Sequence, residues 1–275
     1  MKKHKSNVIF LLLVIISLAF LFPVFIVLMN SFKNKLYIST EPFSFPTADT
    51  FAGLRNYTEG LVKTGFFSAF FTSLLVTVLS VGAIVLFTSM TAWYITRVKN
   101  TFTKLCYYIF VFSMVVPFQM VMFTTVKTAD FLNLDNPLGL VVLYLAFGSG
   151  LSVFMFSGFV KSIPKEIEEA AMIDGCGPVR TFFLVVFPLM KPTTITVAIL
   201  NAMWIWNDYL LPYLVIGSDY KTIPIAIQYL RGGYGSIDMG AMMAMLVLSI
   251  VPIIIFYLLC QKHIIKGVVA GAVKG

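Results

Sequence analysis

The chain has 275 residues, 59% of them hydrophobic and only 12% charged, with a mean hydropathy of +0.92. A soluble domain has about a quarter of its residues charged, so most of this chain must face lipid or other apolar helices. The net charge of +8 proves, once its distribution is counted, to be topology and not a nucleic-acid surface, and the only histidines, His4 and His263, lie in polar flanks, which excludes most metal-site and histidine-catalysed chemistry.

Lys2, Lys3 and Lys5 precede an apolar run from Val8 to Met29, interrupted only by Ser17 and Pro23. About 20 apolar residues cross a bilayer, roughly twice the core of a signal peptide. The run therefore predicts an uncleaved first span over 8–30. Residues 31–65 hold Pro42, Pro46, Asp49, Gly53 and Gly60, and are expected to form the longest external loop, with a short helix around Asn56–Val62. An uncharged stretch predicts the second span over 66–96, and Arg97, Lys99 and Lys104 mark a short cytosolic turn.

The third span is expected over 105–126, with Pro117 and Gln119 near its centre. They mark either a kinked, pore-lining helix or an ordinary membrane proline. Asp130 and Asp135 lie outside, and the fourth span, 138–160, contains Gly148-Ser149-Gly150, which suits close helix packing. A polar segment, 161–192, separates it from the fifth span over 193–215. Gly217–Asp238 reads as an external loop, 239–260 as the sixth span, and the remainder as a small-residue tail. Thirteen of the twenty basic residues fall in the segments placed in the cytosol. Seven (Lys33, Lys35, Arg55, Lys63, Lys127, Lys221, Arg231) fall outside. This bias puts both termini in the cytosol. Cys106, Cys176 and Cys260 lie on the cytosolic side without a CxxC pattern, so no disulfide is expected.

The polar segment 161–192 is the chemically distinctive one. Glu166, Glu168, Glu169 and Asp174 are four of the twelve acids, packed within nine residues. Pro164 suits the start of a helix, and the glutamates behind it suit the positive end of the dipole. Gly175 or Gly177 can end that helix in a left-handed conformation, and Pro178 can open a second helix that Pro188 closes. Ile167, Ala170, Ala171 and Asp174 share one small, nearly flat face that another protein could approach closely.

Glu169-Ala170-Ala171, Gly175 after three intervening residues, and Val185-x-Phe187-Pro188 resemble the EAA loop of ATP-binding-cassette importer permeases, with Val185 and Phe187 standing where that family favours Ile and Leu. In that family the loop docks the cytosolic ATPase. The resemblance therefore implies docking roles for Glu166, Glu169, Ala170, Ala171, Asp174, Gly175 and Pro188. The tail Gly267-Val-Val-Ala-Gly-Ala-Val-Lys-Gly275 and the Trp204-Ile-Trp206-Asn207-Asp208-Tyr209 segment are similar to the maltose and multiple-sugar branch, and to its shorter permease subunit. The fold implied is all-α, a single polytopic domain over 1–275 with six transmembrane helices and type I importer permease architecture. The implied setting is the bacterial cytoplasmic membrane.

The implied partners are a second permease subunit in a heterodimer, two copies of an ATP-binding subunit, and an extracytoplasmic sugar-binding protein. No G-x-x-x-x-G-K-[ST] run is present. The chain is accordingly expected to bind no cofactor and to perform no catalysis, with ATP and Mg used by the partner ATPase. Asp208 is the one acid inside a span. It lies about 22 Å beyond Thr193 at about 1.5 Å per residue, where a lipid-facing carboxylate costs about 2.5–3.5 kcal/mol. Either Trp204, Trp206, Asn207 and Asp208, together with Gln119, line a substrate path, or the aromatics form an interfacial belt with Asp208 reaching to water. An anionic cargo such as glycerol-3-phosphate would call for Arg or Lys in the spans, where none is found. A secondary transporter would call for intramembrane charge or repeat halves.

Overall fold

A computed structural model describes residues 2–217, 219–230 and 237–272, with side-chain surroundings for residue 7 and, within those ranges, residues 9–262. Arg231, the terminal lysines (Lys2, Lys3, Lys5, Lys266, Lys274), both histidines and the tail motif lie outside the described side chains. The helices are α1 (Lys2–Asn30), α2 (Lys35–Thr40), α3 (Arg55–Thr64), α4 (Phe66–Arg97), α5 (Thr101–Ser113), α6 (Phe118–Phe131) and α7 (Pro137–Val160). They continue as α8 (Lys165–Ile173), α9 (Pro178–Thr181), a π-helical turn (Phe182–Val186), α10 (Phe187–Leu189), α11 (Lys191–Asn207), α12 (Leu210–Ile216), α13 (Ile223–Gln228) and α14 (Met239–Ala272). Among the described residues, four helices are long and apolar enough to cross a membrane: Ile9–Asn30, Phe66–Arg97, Pro137–Val160 and Met239–Lys262. Two bent pairs complete a possible six, Thr101–Ser113 with Phe118–Phe131 at 108° and Pro178–Leu189 with Lys191–Asn207 at 78°.

Two sequence expectations change here. The third span is not one helix over 105–126. It breaks after Ser113, and Pro117, in an extended conformation (ψ 137°), caps α6. Proline lacks the N–H needed to continue a helix and its ring crowds the preceding turn, which accounts for the break. Nor is the fifth span one helix over 193–215: α11 stops at Asn207, Asp208 is extended, and α12 starts at Leu210.

The chain clusters into two compact units, residues 1–69 with 223–254, and residues 70–222 with 255–275. The first unit contains the short helix expected around Asn56–Val62, as α3, and adds α2 and an ordered hydrogen-bonded connection to the segment 31–65. Asn56 Nδ2 donates to the carbonyls of Ser31 and Lys33, each at 2.8 Å, and Asn30 Nδ2 donates to Pro42 O at 2.8 Å. Lys33 is fully buried and donates to Glu41 O at 2.8 Å. A two-residue antiparallel bridge joins Lys33 to Phe51. Side-chain amides thus take over the pairing that a helix or sheet would otherwise supply. On the surface of this unit, Lys63 Nζ donates to Glu59 at 2.7 Å and to Asp238 at 2.6 Å, tying α3 to the start of α14.

The second unit packs around α7, whose buried face includes Tyr144, Val153, Phe156 and Val160. Glycines set how closely its neighbours approach. A Cβ on Gly150 would stand 2.7 Å from the backbone oxygen of Phe110 in α5, and one on Gly148 would stand 2.6 Å from Ile84 in α4 and 2.8 Å from Asn201 in α11. Small residues at such crossings let helices gain dispersion contacts where lipid offers no hydrophobic driving force. Asn201, buried beside them, donates to Ser152 Oγ at 3.2 Å and to Val197 O at 2.9 Å, so its amide is not left unpaired in apolar surroundings.

Candidate docking hairpin and candidate substrate path

The hairpin begins where α7 ends. Pro164 (φ −57°, ψ 135°) stands at the N-cap of α8, with Glu166 and Glu168 in the first turn. At the far end the Cys176 N–H donates to Ala171 O and the Gly175 N–H donates to Met172 O, each at 3.0 Å. This is the Schellman arrangement, and it requires the left-handed φ of +82° that Gly175 adopts. Of the two glycines considered from sequence, Gly175 makes the turn. Gly177 (φ −70°, ψ 166°) is extended and caps α9, which opens on Pro178.

Glu168 and Ala171 are the buried residues of α8. This corrects the proposed flat face. Ile167, Ala170 and Asp174 are exposed, whereas Ala171 turns inward and serves packing within the chain. Its partner in that inner face was not singled out from sequence. Glu168 Oε1 accepts from Arg97 Nη2 at 2.6 Å and from Arg97 Nε at 2.8 Å, and Oε2 accepts from the Trp93 indole N–H at 2.9 Å. Arg97 Nη2 also donates to Ile163 O at 2.9 Å. The two charged side chains are 15% and 7% exposed, so this is a buried, multiply bonded ion pair joining α8 to the last turn of α4. From sequence alone Arg97 counted only as a marker of topology, and Glu168 as one acid among four. A signal was present in the i, i+3 spacing of Glu168 and Ala171, which puts them on one face.

The outer surface of the hairpin carries Glu166, Glu169, Ala170 and Asp174, all exposed. Exposed apolar residues flank them: Met172 (50%), Ile173 (86%) and Val179 (66%). A hollow of about 440 Å³, lined by Trp93, Arg97, Lys165, Glu168, Glu169 and Met172 among others, opens between α8 and the end of α4. Pro188 does not close the second helix. It opens α10 beyond the π-helical turn, and the chain bends after it, at Met190.

The candidate path residues come together only in part. The Trp204 ring meets the Tyr144 ring edge-on at 5.4 Å between centroids, and Trp206 meets Phe70 at 5.8 Å. Asp208 lies in the break between α11 and α12. Its Oδ2 accepts from the Tyr144 hydroxyl at 3.0 Å and its Oδ1 from the Leu210 N–H at 3.1 Å. The carboxylate therefore restarts the helix and braces α7. Asn207 is exposed and its amide donates to Met203 O at 2.7 Å. Gln119, exposed in the first turn of α6, shares no hydrogen bond with this group among the described residues.

Long apolar helices, with two further helix pairs joined across sharp bends, together with a hairpin fixed on its inner face and exposed on its outer one, define a polytopic membrane protein. Comparison with known proteins agrees. Residues 84–269 match the family described as "Binding-protein-dependent transport system inner membrane component", and the chain belongs to that family. It is 41% identical over 262 residues to the protein of Thermoanaerobacterium thermosulfurigenes named "Probable starch degradation products transport system permease protein AmyC", covering 95% of this chain and 94% of the other. It is 35% identical to the Streptococcus mutans "Multiple sugar-binding transport system permease protein MsmG", covering 99% of each. The fold is shared with a chain from the crystal structure of a bacterial ABC transporter that imports the acidic polysaccharide alginate. The TM-score is 0.78 at 22% identity, covering 94% of this chain and 96% of the other. The fold is therefore all-α, with type I importer permease architecture, and the chain is an inner-membrane permease component, a transport role and not a catalytic one.

Proposed function

We propose that this chain is one of two permease subunits of an ATP-driven sugar importer, with residues 1–275 acting as one transmembrane domain of six crossings and both termini in the cytosol. Its relatives named for starch products and multiple sugars support a sugar cargo. In this reading a related second permease completes the path as a heterodimer, two copies of an ATPase dock below, and an extracytoplasmic sugar-binding protein delivers cargo above. The chain binds no cofactor. ATP and Mg belong to the ATPase.

The observation that carries the proposal is the anchoring of α8. Its inner face is fixed to α4 through Glu168, Arg97 and Trp93, while Glu166, Glu169, Ala170 and Asp174 face outward. α4 is 32 residues long, about 48 Å at 1.5 Å per residue. Movement of a docked ATPase is thereby delivered to a whole membrane helix, because the buried charge pair resists separation more than exposed contacts do. Glu169 supplies a charged contact, Ala170 close approach, Gly175 the turn, and Ala171 the intramolecular fit. Pro188 and the π-helical turn set where the hairpin bends into α11. At the opposite end, Trp204, Trp206 and Asn207 offer flat and amide surfaces suited to a sugar, with Asp208 holding the broken helix open and Gln119 standing at the second break.

The test is a mild-detergent pulldown of the tagged chain from native membranes, with co-purifying proteins quantified. A P-loop ATPase and a second permease in fixed ratio support the reading. A chain that emerges alone, or only with copies of itself, sinks it in favour of a secondary transporter.

A further inference from the structure

α4 ends at Arg97, α5 begins at Thr101 and α7 ends at Val160, and these three ends border a cavity of about 560 Å³ that no part of the docking scheme uses. Lys99, Lys104 and Lys161 line it and, among the described residues, no acidic one does. Lys161 Nζ lies over the Tyr107 ring, 5.5 Å from its centroid, and both side chains line the cavity. Two hydroxyls of the lining, Thr96 Oγ1 and Ser157 Oγ, are buried with no hydrogen-bond partner. Ser157 is only 1% exposed. A buried hydroxyl without a partner costs about 1–3 kcal/mol in proteins, so such groups are ordinarily satisfied by something. The cavity also receives the positive end of the α5 dipole, where Asn100 and Thr103 form a capping box.

Three cations, unfilled hydroxyl donors and a helix N-terminus together recognise a phosphate oxyanion. The surroundings select the source of that phosphate. α5 leaves the cavity with Phe102, Leu105 and Ile109 between 57% and 67% exposed, an apolar track for an acyl chain. The cavity lies at the ends of two helices long and apolar enough to cross a membrane, which is where such helices meet lipid headgroups. We propose that it binds the phosphate headgroup of an anionic phospholipid, with Lys99, Lys104 and Lys161 holding the charge and Ser157 and Thr96 donating to its oxygens. A lipid there ties together the ends of α4, α5 and α7 beside the root of the hairpin. The assignment holds whichever way the chain is inserted, so it does not depend on the docking reading.

The experiment is native mass spectrometry of the full chain, purified with its partners and offered equal phosphatidylglycerol and phosphatidylcholine. The wild type is expected to retain phosphatidylglycerol preferentially. K99Q, K104Q and K161Q should each weaken that retention about fivefold, the value of one lysine near an anionic headgroup. S157A should weaken it too, with unchanged elution and partner content as evidence of folding. Retention that is equal in wild type and the triple lysine variant overturns the proposal. So does retention of inorganic phosphate, added alone at millimolar concentration, that displaces the lipid, since this marks a free-anion site.

Discussion

At the scale of single residues, the pair Arg97–Glu168 is the contact on which the hairpin depends. Removing one member of a buried ion pair leaves an uncompensated charge and costs about 3–5 kcal/mol. Glu168→Ala should therefore lower the melting temperature of the detergent-purified protein and its membrane yield, whereas Glu169→Ala, exposed and without an ion-pair partner among the described residues, should leave both unchanged. A paired R97M/E168L replacement should regain part of the loss, because it leaves no charge unpaired; equal stability of wild type and Glu168→Ala would remove the anchor. A second charge cluster responds to pH. Hydrogen bonds from Lys63 and then Arg55 hold Glu59 down at about 2 against an ordinary 4.5. Burial raises Asp238, but the Lys63 hydrogen bond and the Ala241 N–H outweigh it and leave that carboxyl below 3.8. Depressed carboxylates stabilise the fold above their unfolded values and lose that effect as pH falls through the folded ones. The clamp of α3 to α14 should thus be intact above pH 4.5 and weaken toward 2. Thermal unfolding followed against pH in wild type and Lys63→Gln should show a smaller acid slope in the variant.

At the scale of elements, two glycines separate packing from conformation. Gly150 is pressed against the Phe110 backbone, which cannot rotate away, whereas Gly158 of the same helix has nothing within 4 Å of an added Cβ. Gly150→Ala should accordingly depress folded yield and melting temperature, and Gly158→Ala should not. Gly175 presents the opposite case. It too has nothing within 4 Å of an added Cβ, so only its φ of +82° resists substitution. A non-glycine residue there costs about 1–2 kcal/mol, least for Asn and most for a β-branched side chain. Gly175→Val is therefore expected to insert normally yet uncouple ATP hydrolysis from uptake by re-aiming the hairpin, while Gly175→Asn stays close to wild type. Normal uptake by the valine variant, measured in proteoliposomes with the partner subunits, would discard the lever.

At the scale of the whole molecule, the exposed surface is itself informative. The most apolar window of α1 has no buried residue, and α4 and α14 expose large apolar side chains such as Phe67, Phe71 and Phe87, or Tyr257, Leu258 and Leu259, so these faces await lipid or another subunit. Family membership accords with that surface, since the family is described as an inner membrane component. The described helices also show why breaks matter. Pro117 interrupts the third apolar segment and Asp208 the fifth, each exposing backbone groups that a continuous helix would satisfy internally. Irregular backbone at that depth is tolerated where it borders a cavity or is buried in protein.

Much was legible in the residues themselves. Apolar runs near twenty residues locate membrane helices because the bilayer has a fixed thickness, and Pro164 and Pro178 locate the hairpin because proline fixes φ, with a glycine between them free to make the left-handed turn. Those are local rules, and the chain alone obeys them. What only the tertiary structure decided involves partners distant in sequence. Glu168 finds Arg97 across 71 positions, Asp208 finds Tyr144 across 64, and Asn56 organises a segment that reads as loop because its hydrogen bonds are to backbone 23 and 25 residues away. Periodicity records which face of a helix is turned inward. It carries no trace of what waits there, because the pairing energy of a buried charge or amide is realised only when another element delivers the matching group.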